Sequence, residues 1–254
     1  PDESPAETPP AETTPAETGP AGVASGGAGP EVAAATVPEG QEPAEEGLAH
    51  QDAPAEIGEE QLRAVVEGWS YAPHSVLGAH PARDGWVVRT LRPNAVSVTV
   101  VDEDGSRHEA RPLHAGGIFE AHLPGQPGDY RVEVTYGDGA GGTNTFVVDD
   151  PYRWLPTVGE LDQHLIREGR HERLWEVLGS HVRRYDTPRG QGEGVSFAVW
   201  APNARGVRVT GDFDYWEARA YPMRSLGSSG VWEVFIPGVP VGTRYRYHVL
   251  GHDG

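Results

Sequence analysis

The chain has 254 residues, 38 acidic against 20 basic side chains, a net charge of −18 and no cysteine. The acidic balance excludes a positive groove for nucleic acid. The missing thiols exclude disulfides, thiolate metal ligands and a cysteine nucleophile together. No run of about 18 apolar residues is present, so no membrane-spanning helix is expected. The first sixty residues lack the basic start and apolar stretch of a secretory signal, and the expected location is the cytoplasm.

Residues 1–56 form the first segment. PAETP, PAETT and PAETG follow one another from Pro5 to Gly19, and the first sixty residues hold fourteen Asp and Glu with no Arg or Lys. High charge, many prolines and few large apolar side chains leave too little burial to offset chain entropy, so this segment reads as a disordered acidic tail.

From residue 57 the pattern changes. EEQLRAVVEG places Leu62, Val65 and Val66 at helical spacing, with Gly68 as the stop. WVVRTL, AVSVTVV, IFEAHL, DYRVEV and TNTFVV then read as strands separated by Gly, Pro and Asp turns, giving a first sandwich over residues 57–150. Residues 151–182 read as a helical connector, in which Thr157 and Glu160 have the spacing of a capping box ahead of Leu161 and Leu165. A second strand series, GVSFAVWAP, GVRVTGDF, VWEVFIPG and TRYRYHV, fills residues 183–254.

The two series repeat each other. LGAH at 77–80 answers LGSH at 178–181, RPNA at 92–95 answers APNA at 201–204, and GIFEAHLPG at 117–125 answers GVWEVFIPG at 230–238. The expected fold is therefore all-β: two tandem immunoglobulin-like sandwiches joined by a short helical connector. Copy one runs on past its GDG at 137–139 into a further strand, whereas copy two reaches GHDG at 251–254. By that internal template the second sandwich lacks a closing strand, and the chain is expected to be part of a longer protein.

Most candidate chemistry is bland. His164 and His171 lie seven apart, without the i, i+4 spacing and third ligand of a metal site, and read as ordinary polar or packing residues. No metal or cofactor is expected. Asp212 and Asp214 flank Phe213 in a turn between strands, where Asp serves the backbone more often than catalysis. Trp200 falls in an apolar run and is expected in the core.

GDFDYW at 211–216 stands apart. Sugar rings carry an apolar face of C–H bonds and a rim of hydroxyls, so their sites combine flat aromatic surface with a few hydrogen-bonding groups. Tyr215 and Trp216, with Arg246 on an expected neighbouring strand, supply those parts. Packing over the end of the core is the competing reading for both rings. Copy one reads TVVDEDG where copy two reads TGDFDYW, so the aromatic cluster occurs in one copy.

HSVLGAHP, the connector DPYRWLPTVGELDQHLIREGRHERLWEVLGSH, and GVSFAVWAPNARGVRVTGDFDYW closely resemble the amino-terminal half of bacterial glycogen branching enzymes, of the actinobacterial type, within the alpha-amylase superfamily. The resemblance runs from about residue 60 to residue 254. It implies that the first sandwich is the extra amino-terminal domain of the longer branching enzymes, and that the second is a starch-binding type of carbohydrate module. It further implies glucan contacts by Trp216 and Arg246, and partners in α-glucan and a carboxyl-terminal catalytic barrel. A second binding Trp of related modules would fall near Asp253, where this chain has none. The family transfers a cleaved α-1,4 segment to a 6-hydroxyl using carboxylates in a (β/α)₈ barrel; this chain shows no βα alternation and is expected to be catalytically silent by itself. Two other readings stay open: a free-standing glucan-binding or regulatory protein, and a structural spacer without sugar binding.

Overall fold

The computed structural model describes residues 57–251; the acidic segment 1–56 and Asp253 lie outside the described residues. Helix α1 (Glu59–Glu67) forms where the apolar spacing predicts it. Glu59 and Glu60 sit in its first turn, where negative charge suits the helix dipole, and Gly68 ends it at φ 81° with its N–H bonded to Ala64 and Val65 carbonyls. Leu62 and Val65 bury themselves against Val76, Leu77, Leu91, Ile118 and Tyr152.

The first sandwich contains β1 (Gly78–Ala82), β2 (Gly85–Leu91), β3 (Ala95–Val101), β4 (Arg107–His114), β5 (Ile118–Leu123), β6 (Arg131–Gly137) and β7 (Thr143–Val148). They hydrogen-bond in the order β1-β2-β5-β4-β3-β6-β7, all antiparallel. Strand β4 is the corner. Its first half pairs with β3 through Val98 opposite Ala110, and its second half pairs with β5 through Arg111 opposite Glu120. The two halves of the sheet thus face each other across Val88, Phe119, Ala121 and Leu123 on one side and Val98, Val100, Val132 and Val134 on the other. Burial of each of the valine, leucine and phenylalanine side chains contributes about 1.5–3 kcal/mol.

The connector is less helical than its sequence suggests. A 3-10 turn at Pro151–Arg153 leads to α2 (Glu160–Arg167), and a further 3-10 turn covers Leu174–Glu176. The residue capping α2 is Gly159, with no side-chain cap. Thr157 instead donates its hydroxyl and its backbone N–H to the buried carboxylate of Glu233, 2.8 and 3.2 Å away.

The second sandwich contains β8 (Gly179–Thr187), β9 (Gly190–Trp200), β10 (Gly206–Gly211), β11 (Arg224–Ser225), β12 (Val231–Pro237) and β13 (Tyr245–Leu250). Strand structure therefore begins at Gly179, within the segment read as connector. One sheet runs β11-β12-β9-β8 and the other pairs β10 with β13. Phe197, Val207, Val209, Met223, Trp232, Val234 and Ile236 fill the space between them.

The internal repeat extends to side chains. His80 and His181 each bond through Nε2 to the carbonyl three residues earlier, Leu77 and Leu178, at 3.0 Å in both copies. Glu120 on β5 and Glu233 on β12 are buried at matching positions, and each pairs with arginine. The corner is shared too: Pro222 bridges to Arg208 of β10 just before β11 pairs with β12. Among the described residues, β13 pairs with β10 alone, whereas its counterpart β6 has β7 on its far side.

The sandwiches are tied together by the segment after α1 as well as by the connector. Tyr71 stacks on Trp232 with centroids 5.4 Å apart, and its carbonyl accepts the Ser225 N–H. The Tyr152 hydroxyl lies 3.3 Å from the carbonyls of Ala220 and Pro222. At the opposite end, the Arg189 N–H donates to Asp129.

Candidate functional site

The loop that leaves β10 begins where two backbones come close: a Cβ on Gly211 would lie 2.3 Å from the Arg244 carbonyl oxygen. A 3-10 turn follows at Asp212–Asp214, and then Tyr215, Trp216 and Ala218 adopt φ of 54°, 65° and 56°. Left-handed backbone costs a non-glycine residue about 1–2 kcal/mol, so three such residues need compensation nearby.

Asp214 supplies it. Its carboxylate accepts the Thr210 hydroxyl at 2.7 and 2.9 Å, the Gly211 N–H at 2.8 Å and the Trp216 N–H at 3.2 Å. The Thr210 oxygen in turn accepts the Ala218 N–H at 3.2 Å. Asp212 does separate work. It accepts the Trp216 indole N–H at 3.1 Å and both the N–H and the guanidinium of Arg244 at 3.0–3.2 Å. The hydrogen bonds from Arg244 hold its carboxyl below the usual range. Both carboxylates therefore have their oxygens turned to protein donors, those of Asp214 from β10 and the loop and those of Asp212 from Trp216 and Arg244.

This scaffold fixes Trp216 at its backbone and its indole N–H. Arg246, which stands opposite Thr210 on β13, places its guanidinium carbon 5.5 Å from the centroid of the Trp216 ring, in cation–π range. Arg246 is exposed, and among the described residues it has no acidic partner within salt-bridge distance. Tyr215 takes a different position. It is 86% exposed and lines a cleft of about 500 Å³ between the two sandwiches, whose lining does not include Trp216. The structure brings Trp216 and Arg246 together and turns Tyr215 to another surface.

Trp200 corrects an expectation. It is 57% exposed, because it is the last residue of β9 and lies beyond the buried run 194–198. Its indole sits by Gly230, where a Cβ would come within 3.1 Å of Nε1. His164 lies beside Glu168 at 3.3 Å, and His171 beside Asp162 at 3.0 Å. Among the described residues, no cluster of His, Asp and Glu has the arrangement of a metal site, and no helix is long and apolar enough to cross a membrane.

Tandem antiparallel sandwiches, one of them carrying Trp216 held by Asp212 beside Arg246, define a class of all-β regions. Residues 58–152 match the family described as alpha-1,4-glucan branching enzyme GlgB, N-terminal domain, and residues 177–254 match carbohydrate-binding module 48, the isoamylase N-terminal domain. Among relatives, 1,4-alpha-glucan branching enzyme GlgB of Frankia casuarinae is 56% identical over 198 residues, 77% of this chain and 24% of that protein. The Thermobifida fusca enzyme of the same name is 57% identical over 180 residues, 70% and 23%, and that of Rhodococcus jostii 55% over 194 residues, 76% and 26%. The chain belongs to the glucan branching enzyme family as its amino-terminal, carbohydrate-binding region, and it spans about a quarter of the length of these relatives. The ligand-free structure of PulA from Klebsiella pneumoniae aligns over 69% of this chain and 18% of its own with 19% identity and a TM-score of 0.24, a likeness too slight to bear on fold or function.

Proposed function

We propose that this chain engages and positions α-glucan for a glycogen branching enzyme, whose transfer of α-1,4 segments to 6-hydroxyls is carried out by a catalytic barrel outside these residues, in the cytoplasm. The observation that carries the reading is the Trp216 ring, anchored through its indole N–H to Asp212 and flanked by the Arg246 guanidinium. A glucosyl unit laid on the indole buries its C–H face there, and the guanidinium N–H groups meet the hydroxyl rim. Because Asp212 and Asp214 hold the loop before any sugar arrives, little ordering cost falls on binding. The first sandwich has no counterpart of the aromatic loop, and its role in this reading is to brace the second.

Affinity electrophoresis in gels containing glycogen tests this. The wild-type chain is expected to be retarded relative to a gel without glycogen, and Trp216→Ala and Arg246→Ala to be retarded much less. Unchanged retardation of Trp216→Ala places the site elsewhere. Tyr215→Ala separates the two aromatic positions: it leaves the Trp216 platform intact and should reduce retardation less.

A further inference from the structure

The cleft lined by Tyr215 has the composition of a second sugar site. One wall is the β6–β7 face of the first sandwich, where Tyr136 and Phe146 pair with centroids 6.3 Å apart and Phe146 is 52% exposed. The other wall is the loop of the second sandwich, with the exposed ring of Tyr215 and the packed pair Phe213 and Tyr221, 5.4 Å apart. At about 500 Å³ the cleft falls within the size range of small-molecule sites.

The polar lining decides what kind of molecule fits. Four charged residues face the cleft, Arg92, Asp214, Glu217 and Arg219, so it is balanced in charge. Asp214 is committed to protein donors, and Glu217 pairs with Arg219 at 2.8 Å. An anionic or cationic ligand would have to break these pairs. Asn94 and Asn144 add neutral amides, and Asn94 reaches across to Glu217 at 3.4 Å. Arg92 is almost fully buried at 6% exposed, and its guanidinium donates to the Asp149 carbonyl at 3.4 Å. Aromatic faces and neutral amides in a charge-balanced cleft describe a site for a neutral polyol with apolar ring faces.

We propose that the cleft between the sandwiches is a second carbohydrate site, holding a segment of α-1,4-linked glucan between Phe146 and Tyr215, with sugar hydroxyls meeting the amides of Asn94 and Asn144. The site is built by both sandwiches, which gives the first one a direct part in binding. The choice of α-1,4-glucan over another neutral oligosaccharide rests on the function proposed above; the occupancy of the cleft is argued from its own lining.

Calorimetric titration of the 254-residue chain with maltoheptaose tests the proposal, with cellohexaose as the linkage control. Two sites are expected for wild type and one for Trp216→Ala. In the Trp216→Ala background, Phe146→Ala and Asn144→Ala, both at exposed positions, are each expected to weaken the remaining site about tenfold. Circular dichroism melts confirm that each variant is folded. Loss of all binding in Trp216→Ala, or a remaining site indifferent to Phe146→Ala and Asn144→Ala, overturns the cleft site and leaves the Trp216 site standing. A stoichiometry of two that survives Trp216→Ala overturns the Trp216 site instead. Binding of cellohexaose in place of maltoheptaose overturns the glucan assignment. Sedimentation of the free chain as a dimer that Phe146→Ala dissociates identifies a second copy as the occupant and also overturns the proposal.

Discussion

Replacing Asp214 by alanine removes the acceptor on which the loop is built. Three donors lose their partner: the Thr210 hydroxyl, the Gly211 N–H and the Trp216 N–H. Thr210 is fully buried and Gly211 is buried, so water reaches the first two only if the loop opens. Hydrogen bonds to a charged group contribute about 1.5–3 kcal/mol each. The sum is not realised, because the variant no longer has a partly buried carboxylate to desolvate and the exposed end of the loop can rehydrate. The expected loss is about 2–4 kcal/mol, with the left-handed residues 215 and 216 released from their anchor. Asp214→Asn keeps one carbonyl oxygen and should lose about half as much. Urea unfolding followed by tryptophan fluorescence reads the change as a shift in midpoint at constant slope. Glucan retention should fall with it, since Trp216 is held through the same carboxylate. A loss below about 0.5 kcal/mol for Asp214→Ala, the range of ordinary surface substitutions, would refute the claim that this carboxylate organises the loop.

Glu233→Ala should cost about 3–5 kcal/mol in the same assay, because it strands the Arg224 guanidinium, whose side chain is 12% exposed, in the interior. The matching change in the first copy, Glu120→Ala, should cost a similar amount, because it strands Arg89, whose side chain is also 12% exposed, while Arg111, at 66%, is rehydrated when released. Gly206→Ala would place a Cβ 1.9 Å from the Gly68 carbonyl oxygen, a clash of backbone with backbone; thermal melts should show a loss of at least about 1–3 kcal/mol. His74 carries a pH dependence. Burial, then the charges of Arg224 and His80, hold its pKa down to about 3, and neither ring nitrogen has a partner. The unfolded chain takes up this proton below about pH 6.5 and the folded chain does not until about pH 3. Stability is therefore fully present above pH 6.5 and falls as pH drops, by about 1.4 kcal/mol per pH unit from this group. The stability difference between wild type and His74→Phe should change with pH between 6.5 and 4; a constant difference contradicts the assignment.

Much of the fold was legible because alternating apolar strands and the internal repeat are local patterns. The strands without a sequence signal, β1, β4, β8 and β11, have little apolar alternation. β4 reads RHEARPLH and β8 reads GSHVRRYDT, and both are held by pairing with richer neighbours. Thr157 and Glu160 have the spacing of a capping box, but Glu233, 76 residues away, offers Thr157 a stronger acceptor. An apolar run in sequence does not say where the core stops, and Trp200 stands one residue past Val199 on the outside. At the site, the nearness of Arg246 to Trp216 follows from pairing β10 with β13 and was anticipated. The contacts of Asp212 with Arg244 and the division of Tyr215 from Trp216 were not, because they depend on left-handed backbone at non-glycine residues, which no composition rule signals.

The most direct test of the account is the indole N–H resonance of Trp216 in a ¹⁵N-labelled chain titrated with maltoheptaose. That N–H donates to Asp212 beside the proposed sugar platform, so it should shift progressively and saturate with ligand, while the indole of buried Trp232, bonded to the Ala201 carbonyl, stays in place. Saturable binding that leaves the Trp216 resonance unmoved would contradict the claim that this ring is where the glucan lies.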